Sequence, residues 1–272
     1  MPTLSSAAKP TLFYREWGTG QPVLFVSSWA LSSEQWQLQM IQLTARNLRC
    51  IAYDRRGHGR SDDPGSGYDY DTLADDLATL IGSLDLHDVV LVGHSMGCGE
   101  VLRYVTRHGR QRVAKLVLLA PAQPLLVQTE DNPGGIPAAL LASVRESWAV
   151  DFGRWINSNK DAYVGVGLPG CDVSKEVVDW TIRDLMRTSL QAVIEFSKTG
   201  VEADFRPELQ SIDLPTLVIQ GDHDASFAVE RTGCPVAELM PNARLVIYEN
   251  APNGLYLTHA RRLNQDLLAF IG

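Results

Sequence analysis

Short apolar segments alternate with segments of helical periodicity along most of this chain, and the alternation limits the folds open to it. The apolar segments have the length and the valine, leucine and isoleucine content of buried strands; they are residues 22–27, 49–53, 88–93, 114–120, 215–220 and 243–248. Apolar side chains also recur every three or four residues, as in Leu73, Leu77, Leu80, Ile81 and Leu84 and in Leu263, Leu267, Phe270 and Ile271. This pattern predicts an α/β fold, with a mostly parallel sheet covered by helices on both faces.

The alternation stops between about residues 121 and 206, where turn signals such as Asn132-Pro-Gly-Gly135 separate segments that indicate only helices. A chain of 272 residues is long enough for one large α/β domain that carries an insertion. We therefore predict a core formed by residues 1–125 and 206–272 and a helical cap formed by residues 126–205. Aromatic side chains of this cap either pack it onto the core or line an apolar pocket beneath it; they are Trp148, Phe152, Trp155, Trp180 and Phe196.

Composition and charge exclude several classes of protein. Hydrophobic residues make up 45% of the chain and charged residues 21%, which supports a sizeable core and excludes wholesale disorder. The formal net charge of −8 repels phosphate backbones, so we expect no nucleic-acid partner. No apolar stretch is typical of a signal peptide or membrane span, and the four cysteines are widely spaced. We therefore expect a cytoplasmic protein with free thiols and no membrane partner.

One segment combines a buried strand, a sharp turn and the start of a helix. Residues 89–100 read Val-Val-Leu-Val-Gly-His-Ser-Met-Gly-Cys-Gly-Glu, so a Gly-x-Ser-x-Gly pattern directly follows a strand. In that context the glycines leave room for a strained turn that presents Ser95, which is the arrangement of a nucleophile elbow. We identify Ser95 as the candidate nucleophile.

A serine hydroxyl becomes a good nucleophile when a base takes its proton and an acid orients that base. The segment Leu217-Val-Ile-Gln-Gly-Asp-His-Asp224 ends a predicted strand with two carboxylates. They lie at the carboxyl edge of the sheet, where open α/β sheets bind ligands. Asp224 is the preferred acid, and Asp222 is the alternative.

The chain resembles the bacterial arylesterase and cofactor-free haloperoxidase group of the α/β-hydrolase superfamily from about Phe13 to Phe270. The likeness rests on segments such as Tyr53-Asp-Arg-Arg-Gly-His-Gly-Arg-Ser61 and on further matches at residues 17–25, 70–77, 93–97, 112–119, 203–207 and 258–264. It implies an eight-stranded α/β-hydrolase fold with a small helical cap, no cofactor, and catalysis by Ser95 and Asp224. It also implies ester hydrolysis through an acyl-enzyme, with peracid formation as a side activity.

The sequence departs from this family at the catalytic histidine. The family motif Ala-Pro-His-Gly corresponds to Ala251-Pro-Asn253-Gly254, with asparagine at the histidine position. An amide nitrogen takes no proton near neutral pH, so Asn253 is expected to form hydrogen bonds without acting as a base. Loss of the histidine from a serine triad lowers turnover by about 10⁶-fold.

A second departure follows the strand at residues 22–27, where the family has His-Gly and an aromatic residue and this chain has Ser27-Ser28-Trp29. The resemblance implies that the backbone N–H groups of Trp29 and Met96 form the oxyanion hole. Ser28 in place of glycine is expected to shift the loop or to bring a hydroxyl near the hole. The predicted substrate contacts are Ser28, Trp148, Phe152, Trp155 and Phe227.

Two other histidines lie near the predicted catalytic edge: His94 before the nucleophile, and His223 between the two aspartates. Neighbouring strand residues face opposite sides, so His223 is expected to point away from the site if Asp224 points into it. His58 and His259 lie in segments shared with the family and are expected to pack or to lie at the surface. No set of histidine, cysteine and acidic residues has the spacing of metal ligands, so we expect no metal.

Three interpretations remain open. The first, which we favour, is a carboxylic ester hydrolase for small apolar or aromatic esters, impaired or altered by Asn253, with the histidine replaced deliberately or lost naturally. The second is a divergent member that acts on a lactone or amide or catalyses a non-hydrolytic reaction. The third is a non-catalytic protein that binds a small molecule. The sequence leaves the oligomeric state undecided, and a homo-oligomer remains open.

Overall fold

The computed structural model describes residues 3–6 and 9–272, and its centre is one eight-stranded sheet. The strands are β1 (Thr3–Ser6), β2 (Lys9–Trp17), β3 (Gln21–Val26), β4 (Leu48–Tyr53), β5 (Val89–His94), β6 (Val113–Leu119), β7 (Thr216–Gly221) and β8 (Ala243–Tyr248). Their order across the sheet is β1-β2-β4-β3-β5-β6-β7-β8. β2 is antiparallel to both of its neighbours, and strands β3 to β8 are parallel to one another. The predicted mostly parallel α/β sheet is confirmed.

Helices connect the strands and cover the sheet. Within the described ranges they are α1 (Gln37–Thr44), α2 (Tyr70–Ser83), α3 (Gly97–His108), α4 (Ala138–Val164), α5 (Lys175–Leu185), α6 (Leu190–Glu202), α7 (Arg206–Ser211), α8 (Gly233–Leu239), α9 (Leu255–Thr258) and α10 (Ala260–Ile271). A short 3-10 turn at Ser33–Trp36 precedes α1. The two segments predicted as helices from their apolar spacing correspond to α2 and α10.

All six apolar segments predicted as strands form strands, with ends that differ by at most one residue. The apolar pattern did not predict β1 and β2. In β2, the charged Arg15 and Glu16 follow the buried Leu12 and Phe13, and this mixed composition is typical of a strand near the edge of a sheet. Continuous apolar segments therefore predict the parallel strands β3 to β8 but not the antiparallel strands β1 and β2.

The core lies on both faces of the sheet because alternate strand residues point in opposite directions. In β3, Leu24 and Val26 belong to the apolar cluster on the side of α2 and α3. Val23 and Phe25 belong to the cluster on the side of α1 and α10. All four side chains are fully buried. β3 is thus held between two helical layers.

Helices α4, α5 and α6 lie within the segment that the sequence indicates as an inserted cap. α4 is interrupted at Asp151, whose φ of −158° and ψ of 83° are extended rather than helical. Trp148, Phe152 and Ile156 on α4 form an apolar cluster with Ala30 and with Val193 on α6. The helices of this segment are therefore packed against the loop that follows β3.

Four loops that carry the candidate site residues begin at the carboxyl ends of parallel strands. Ser28 and Trp29 follow β3, Ser95 follows β5, Asp224 follows β7, and Asn253 follows β8. Because these strands are parallel, the four loops meet at one edge of the sheet.

Candidate active site

Ser95 lies in a sharp turn between β5 and α3. Its φ of 56° is in the left-handed region, and its backbone N–H donates to the carbonyl of Leu119 at the end of β6 at 2.8 Å. A Cβ at Gly97 would lie only 2.4 Å from the carbonyl oxygen of Ser27, so the helix start approaches the β3 loop too closely for any other residue. These features are those of a nucleophile elbow.

Two backbone N–H groups near Ser95 are without protein acceptors. In the part of the chain that the structure describes, the N–H groups of Trp29 and Met96 donate to no backbone or side-chain oxygen. Both residues line the same cavity as Ser95. Unpaired N–H groups are costly in a folded protein unless water or a ligand accepts from them, so this pair is suited to an oxygen with negative charge.

The cavity above Ser95 has a volume of about 320 Å³ and a mostly apolar lining. Core residues Ser28, Trp29, Met96 and Asn253 lie at its base together with Ser95. The surrounding side chains from α4, α5, α6 and the β7–α8 loop include Leu141, Trp148, Trp155, Tyr163, Thr181, Ile182, Ser197, Val201 and Phe227. Such a space fits a small apolar or aromatic molecule that has one polar group near Ser95.

The predicted substrate contacts divide into two groups. Ser28, Trp148, Trp155 and Phe227 line the cavity, as the sequence-based prediction requires. Phe152 is outside the lining and 8% exposed. Its ring packs edge-on against the Trp29 ring, with ring centroids 5.8 Å apart. Phe152 therefore supports the cavity wall from behind, and the sequence alone does not distinguish a residue in the lining from one behind it.

Asp224 is buried in a set of hydrogen-bond donors. One carboxylate oxygen accepts from the backbone N–H groups of Ser226 and Phe227, each at 2.9 Å. The other accepts from Asn253 Nδ2 at 2.9 Å. Burial raises the pKa of Asp224 to about 6 in spite of these donors. The alternative acid, Asp222, is exposed and pairs with His223 at 2.7 Å, away from Asn253.

Asn253 occupies the place between Asp224 and the cavity. It is 2% exposed and lines the cavity with Ser95, and its amide group donates to Asp224. An amide keeps this hydrogen bond but cannot accept the proton of Ser95 near neutral pH. The side chain at position 253 thus links Asp224 to the cavity without supplying a base.

Other histidines do not replace the missing base. His94 is fully buried, with Nδ1 at 2.7 Å from Gln35 Nε2 and Nε2 at 3.1 Å from the backbone oxygen of Asn253. The Gln35 amide donates to Nδ1, so Nε2 carries the proton, and burial lowers the His94 pKa to about 4. None of the described histidines hydrogen-bonds the Ser95 hydroxyl.

His58 and His223 also lie in positions unsuited to the role of base. Burial lowers the pKa of His58 to about 3, and its Nδ1 bonds the carbonyl of Arg56. His223 is exposed beside Asp222, on the opposite side of the chain from the buried Asp224.

Sequence reasoning missed two residues that contact the oxyanion loop, which we define as residues 27–30, and a third, Glu100, that pairs with one of them. Arg55 donates to the carbonyls of Ser27 and Ser28 and pairs with Glu100, and Gln35 accepts from the Ser28 N–H. Arg55 lies in the Asp-Arg-Arg-Gly segment after β4 and Glu100 in the first turn of α3, so only the fold brings them to the loop. Their burial, 3% exposed for Arg55 and 0% for Glu100, is the signal that identifies them.

The described residues contain neither a cluster of metal ligands nor a membrane-spanning helix. No cluster of three or more histidine, cysteine, aspartate or glutamate side chains suited to a metal ion occurs among residues 3–6 and 9–272. Over the same ranges, none of the helices combines the length and hydrophobicity that a membrane-spanning helix needs.

Known proteins of similar sequence and structure cover almost the whole chain. The family model of the alpha/beta hydrolase fold matches residues 21–260. A non-heme haloperoxidase of Rhodococcus erythropolis is 41% identical over 272 residues, which is 100% of this chain and 99% of that protein. A bifunctional esterase/perhydrolase of Acinetobacter calcoaceticus is 36% identical over 267 residues, 96% of this chain and 95% of that protein.

A solved structure of similar shape is the bromoperoxidase from Bacillus anthracis, with a TM-score of 0.92 and 33% identity over 97% of this chain and 96% of that one. The eight-stranded sheet, the strained turn at Ser95 and these matches agree with one another. The chain therefore belongs to the alpha/beta hydrolase fold family.

Proposed function

We propose that the protein hydrolyses small apolar or aromatic carboxylic esters, with Ser95 as the nucleophile and the Trp29 and Met96 N–H groups as the oxyanion hole. The observation that carries the proposal is the placement of Ser95, in a strained turn at the base of an apolar cavity, beside two N–H groups without protein acceptors. The esterase and perhydrolase name of a relative supports the same reaction class.

The proposed reaction has two steps. Ser95 Oγ adds to the ester carbonyl carbon, and the carbonyl oxygen becomes an oxyanion that accepts from the two N–H groups. The intermediate collapses, the alkoxide leaves and takes a proton from water to become the alcohol, and an acyl group remains on Ser95. Water then adds to the acyl carbon and releases the carboxylic acid and the free Ser95 hydroxyl. With hydrogen peroxide in place of water, the same acyl-enzyme yields a peracid.

Asn253 limits the rate of both proposed steps. In both steps a proton leaves the attacking oxygen, and in this chain it passes to water rather than to a histidine. Asn253 keeps its hydrogen bond to Asp224 and takes no proton. Without a base, only about 10³ to 10⁴-fold acceleration over water remains from binding and the oxyanion hole. We therefore propose slow ester hydrolysis.

A second candidate is a protein that binds a small apolar ligand and holds it without turnover. The specific observation in its favour is the Ser95 hydroxyl without an imidazole partner, beneath an apolar cavity of about 320 Å³. Catalysis and binding differ in one respect, because only catalysis requires Ser95 to form a covalent bond.

The test is the hydrolysis of p-nitrophenyl acetate by the unaltered chain and by the Asn253→His variant. We expect histidine to raise kcat/KM by about 10³-fold or more, a gain of about 4 kcal/mol in transition-state stabilisation. Asp224 is already placed to orient the new imidazole, since it accepts from the side chain at position 253.

Two controls complete the experiment. Ser95→Ala and the double variant with Ser95→Ala and Asn253→His should both lose hydrolysis to the background rate. If histidine adds less than tenfold, or if Ser95→Ala leaves the rate unchanged, ester hydrolysis through Ser95 is wrong and ligand binding becomes the better explanation.

A further inference from the structure

The two candidate oxyanion donors are held in place by different means. In a trans peptide the N–H and C=O groups of one unit point in opposite directions, so whatever holds the carbonyl also aims the N–H. Met96 N–H shares a peptide with the carbonyl of Ser95, which accepts from the N–H of Cys98 at 3.0 Å. The Met96 donor is therefore fixed locally, by the first turn of the helix that follows.

The Trp29 donor has no such purely local support. Its N–H shares a peptide with the carbonyl of Ser28, which accepts from Arg55 Nη1 at 3.2 Å and, more weakly, from the N–H of Leu31 at 3.3 Å. Arg55 Nη2 donates to the carbonyl of Ser27, the preceding peptide. One guanidinium thus holds two consecutive carbonyls of the oxyanion loop.

Arg55 is itself anchored on the helix that carries the other donor. Its Nε lies 2.7 Å from Glu100 Oε2, and Glu100 is in the first turn of α3, four residues after Met96. The guanidinium also lies over the Phe196 ring, 4.8 Å from its centroid. The ion pair is almost fully buried, so it links the Trp29 loop to the nucleophile helix away from water.

Gln35 holds the other side of Ser28. Its Oε1 accepts from the Ser28 N–H at 2.9 Å, and its Nε2 donates to His94 Nδ1 at 2.7 Å. His94 Nε2 in turn donates to the backbone oxygen of Asn253 at 3.1 Å. Both polar backbone groups of Ser28 are therefore held by buried side chains.

We infer that Arg55 and Gln35 are positioning residues that aim the N–H of Trp29 into the oxyanion hole. The inference rests on the proposed function for the role of that N–H. It accounts for serine at position 28, because Ser28 lies outside the left-handed region and is fixed by its two partners rather than by glycine geometry. A buried guanidinium behind the peptide also polarises it and strengthens the N–H as a donor.

Arginine is required for this task because of its shape. Three of its nitrogens donate at once, to Glu100, to the Ser28 carbonyl and to the Ser27 carbonyl. A lysine at position 55 presents one ammonium group and cannot reproduce the planar fork. The neighbouring Arg56 offers a matched control, since it is also buried and forms two bonds to Asp76 at 2.7 and 2.9 Å without contacting the oxyanion loop.

The experiment measures phenylboronic acid binding by the full chain and by the Arg55→Lys and Arg56→Lys variants, with 11B NMR to detect tetrahedral boron. Ser95 Oγ adds to boron, its proton passes to water, and the resulting anionic adduct places a boron-bound oxygen in the oxyanion hole. We expect Arg55→Lys to weaken the adduct by about 10 to 100-fold, a partial loss of one oxyanion donor, and Arg56→Lys to change it less than about twofold. Gln35→Met removes the acceptor for the Ser28 N–H and should weaken the boronate adduct by at least about threefold. This variant replaces Arg55→Lys if Arg55→Lys does not fold.

Equal adduct affinity in Arg55→Lys and the unaltered chain would overturn the positioning role, as would an equal loss in Arg56→Lys. If neither the unaltered chain nor Asn253→His forms an adduct that Ser95→Ala abolishes, the proposed function is wrong. The positioning role is then decided by the 1H–15N resonance of the Trp29 amide in the ligand-free protein. The role is supported if this resonance shifts in Arg55→Lys and stays in place in Arg56→Lys. If Gln35→Met replaces Arg55→Lys, the same shift is expected in Gln35→Met. A resonance that does not move overturns the role.

Discussion

At position 253 an amide lies between Asp224 and the cavity, and its chemistry allows one interaction and excludes another. The hydrogen bond to Asp224 is kept, with Asn253 Nδ2 at 2.9 Å from the carboxylate. Asn253 takes no proton from Ser95, because an amide does not bind a proton near neutral pH. Beside it, Asp224 is buried, and the N–H groups of Trp29 and Met96 have no protein acceptor among the described residues.

The burial of Asp224 predicts a pH dependence of stability. Burial raises the pKa of Asp224 from 3.8 to about 6, so the folded protein binds this proton more tightly than the unfolded chain does. The contribution to the free energy of unfolding is fully present below about pH 4 and is lost as pH rises through about 6, by about 3 kcal/mol. Urea titrations of the chain and of Asp224→Asn between about pH 4.5 and 7.5 should show their difference in unfolding free energy falling with pH in this way.

The variant is the control in that experiment because it removes the titrating carboxylate and keeps the side-chain size. A difference between the two proteins that stays constant over the pH range would show that the pKa of Asp224 is close to that of the unfolded chain.

At the scale of elements, the decisive contact is the approach of α3 to the loop after β3. Gly97 opens α3, and its Cα lies so close to Ser27 that an added Cβ would be 2.4 Å from the Ser27 carbonyl oxygen. The Arg55–Glu100 pair joins the same two elements nearby. The nucleophile and the oxyanion loop are therefore held together by a close backbone contact and by a buried ion pair.

Gly97→Ala tests this contact, with Gly82→Ala as the matched control. Both glycines lie in helices, but an added Cβ at the exposed Gly82 in α2 meets nothing within 4 Å. We expect Gly97→Ala to lower the free energy of unfolding by about 1–3 kcal/mol through overpacking. Gly82→Ala should raise it by up to about 1 kcal/mol through helix propensity. Chemical denaturation measures both, and a Gly97→Ala variant at least as stable as the unaltered chain would contradict the contact.

At the scale of the whole molecule, aromatic rings join the inserted helices to the sheet. The Trp29 ring lies 4.6 Å from Trp148 and 5.9 Å from Trp155, measured between ring centroids, and its Nε1 donates to the carbonyl of Val193 on α6 at 2.9 Å. Trp29 thus offers its backbone N–H as a proposed oxyanion donor and also contacts α4 and α6 through its side chain. Packing of the inserted helices and shape of the cavity are therefore coupled.

Trp155 and Phe152 should respond differently to truncation, because the first lines the cavity and the second packs behind it. We expect Trp155→Ala to raise kcat/KM for a p-nitrophenyl ester of a longer acid relative to the acetate, measured in the Asn253→His background. Phe152→Ala should leave that ratio unchanged and lower the free energy of unfolding by about 3–5 kcal/mol. An unchanged ratio in Trp155→Ala would show that this ring does not limit the length of the acyl group.

The sequence carried enough information to predict the parallel strands and to propose Ser95 as the candidate nucleophile, because both depend on local patterns. Buried parallel strands are continuous apolar segments, and the Gly-x-Ser-x-Gly turn after one of them indicates Ser95. Strand β2, which lies beside the edge strand β1, escaped prediction because its mixed composition is that of a half-buried strand. Phe152 was grouped with Trp148 and Trp155 as an aromatic residue of the predicted cap, and only the tertiary structure shows that it lies outside the cavity lining.

What the sequence alone determined is the order of elements, the sheet edge where the loops meet, and the absence of histidine at position 253. These follow from residue type and periodicity, which are properties of neighbouring residues. The tertiary structure decided how the oxyanion loop is held: Arg55 is distant in sequence from both Ser28 and Glu100, and it contacts both only after folding. The packing of β3, β4 and α3 brings the buried Arg55 and Glu100 side chains together. No local pattern of residues predicts this contact.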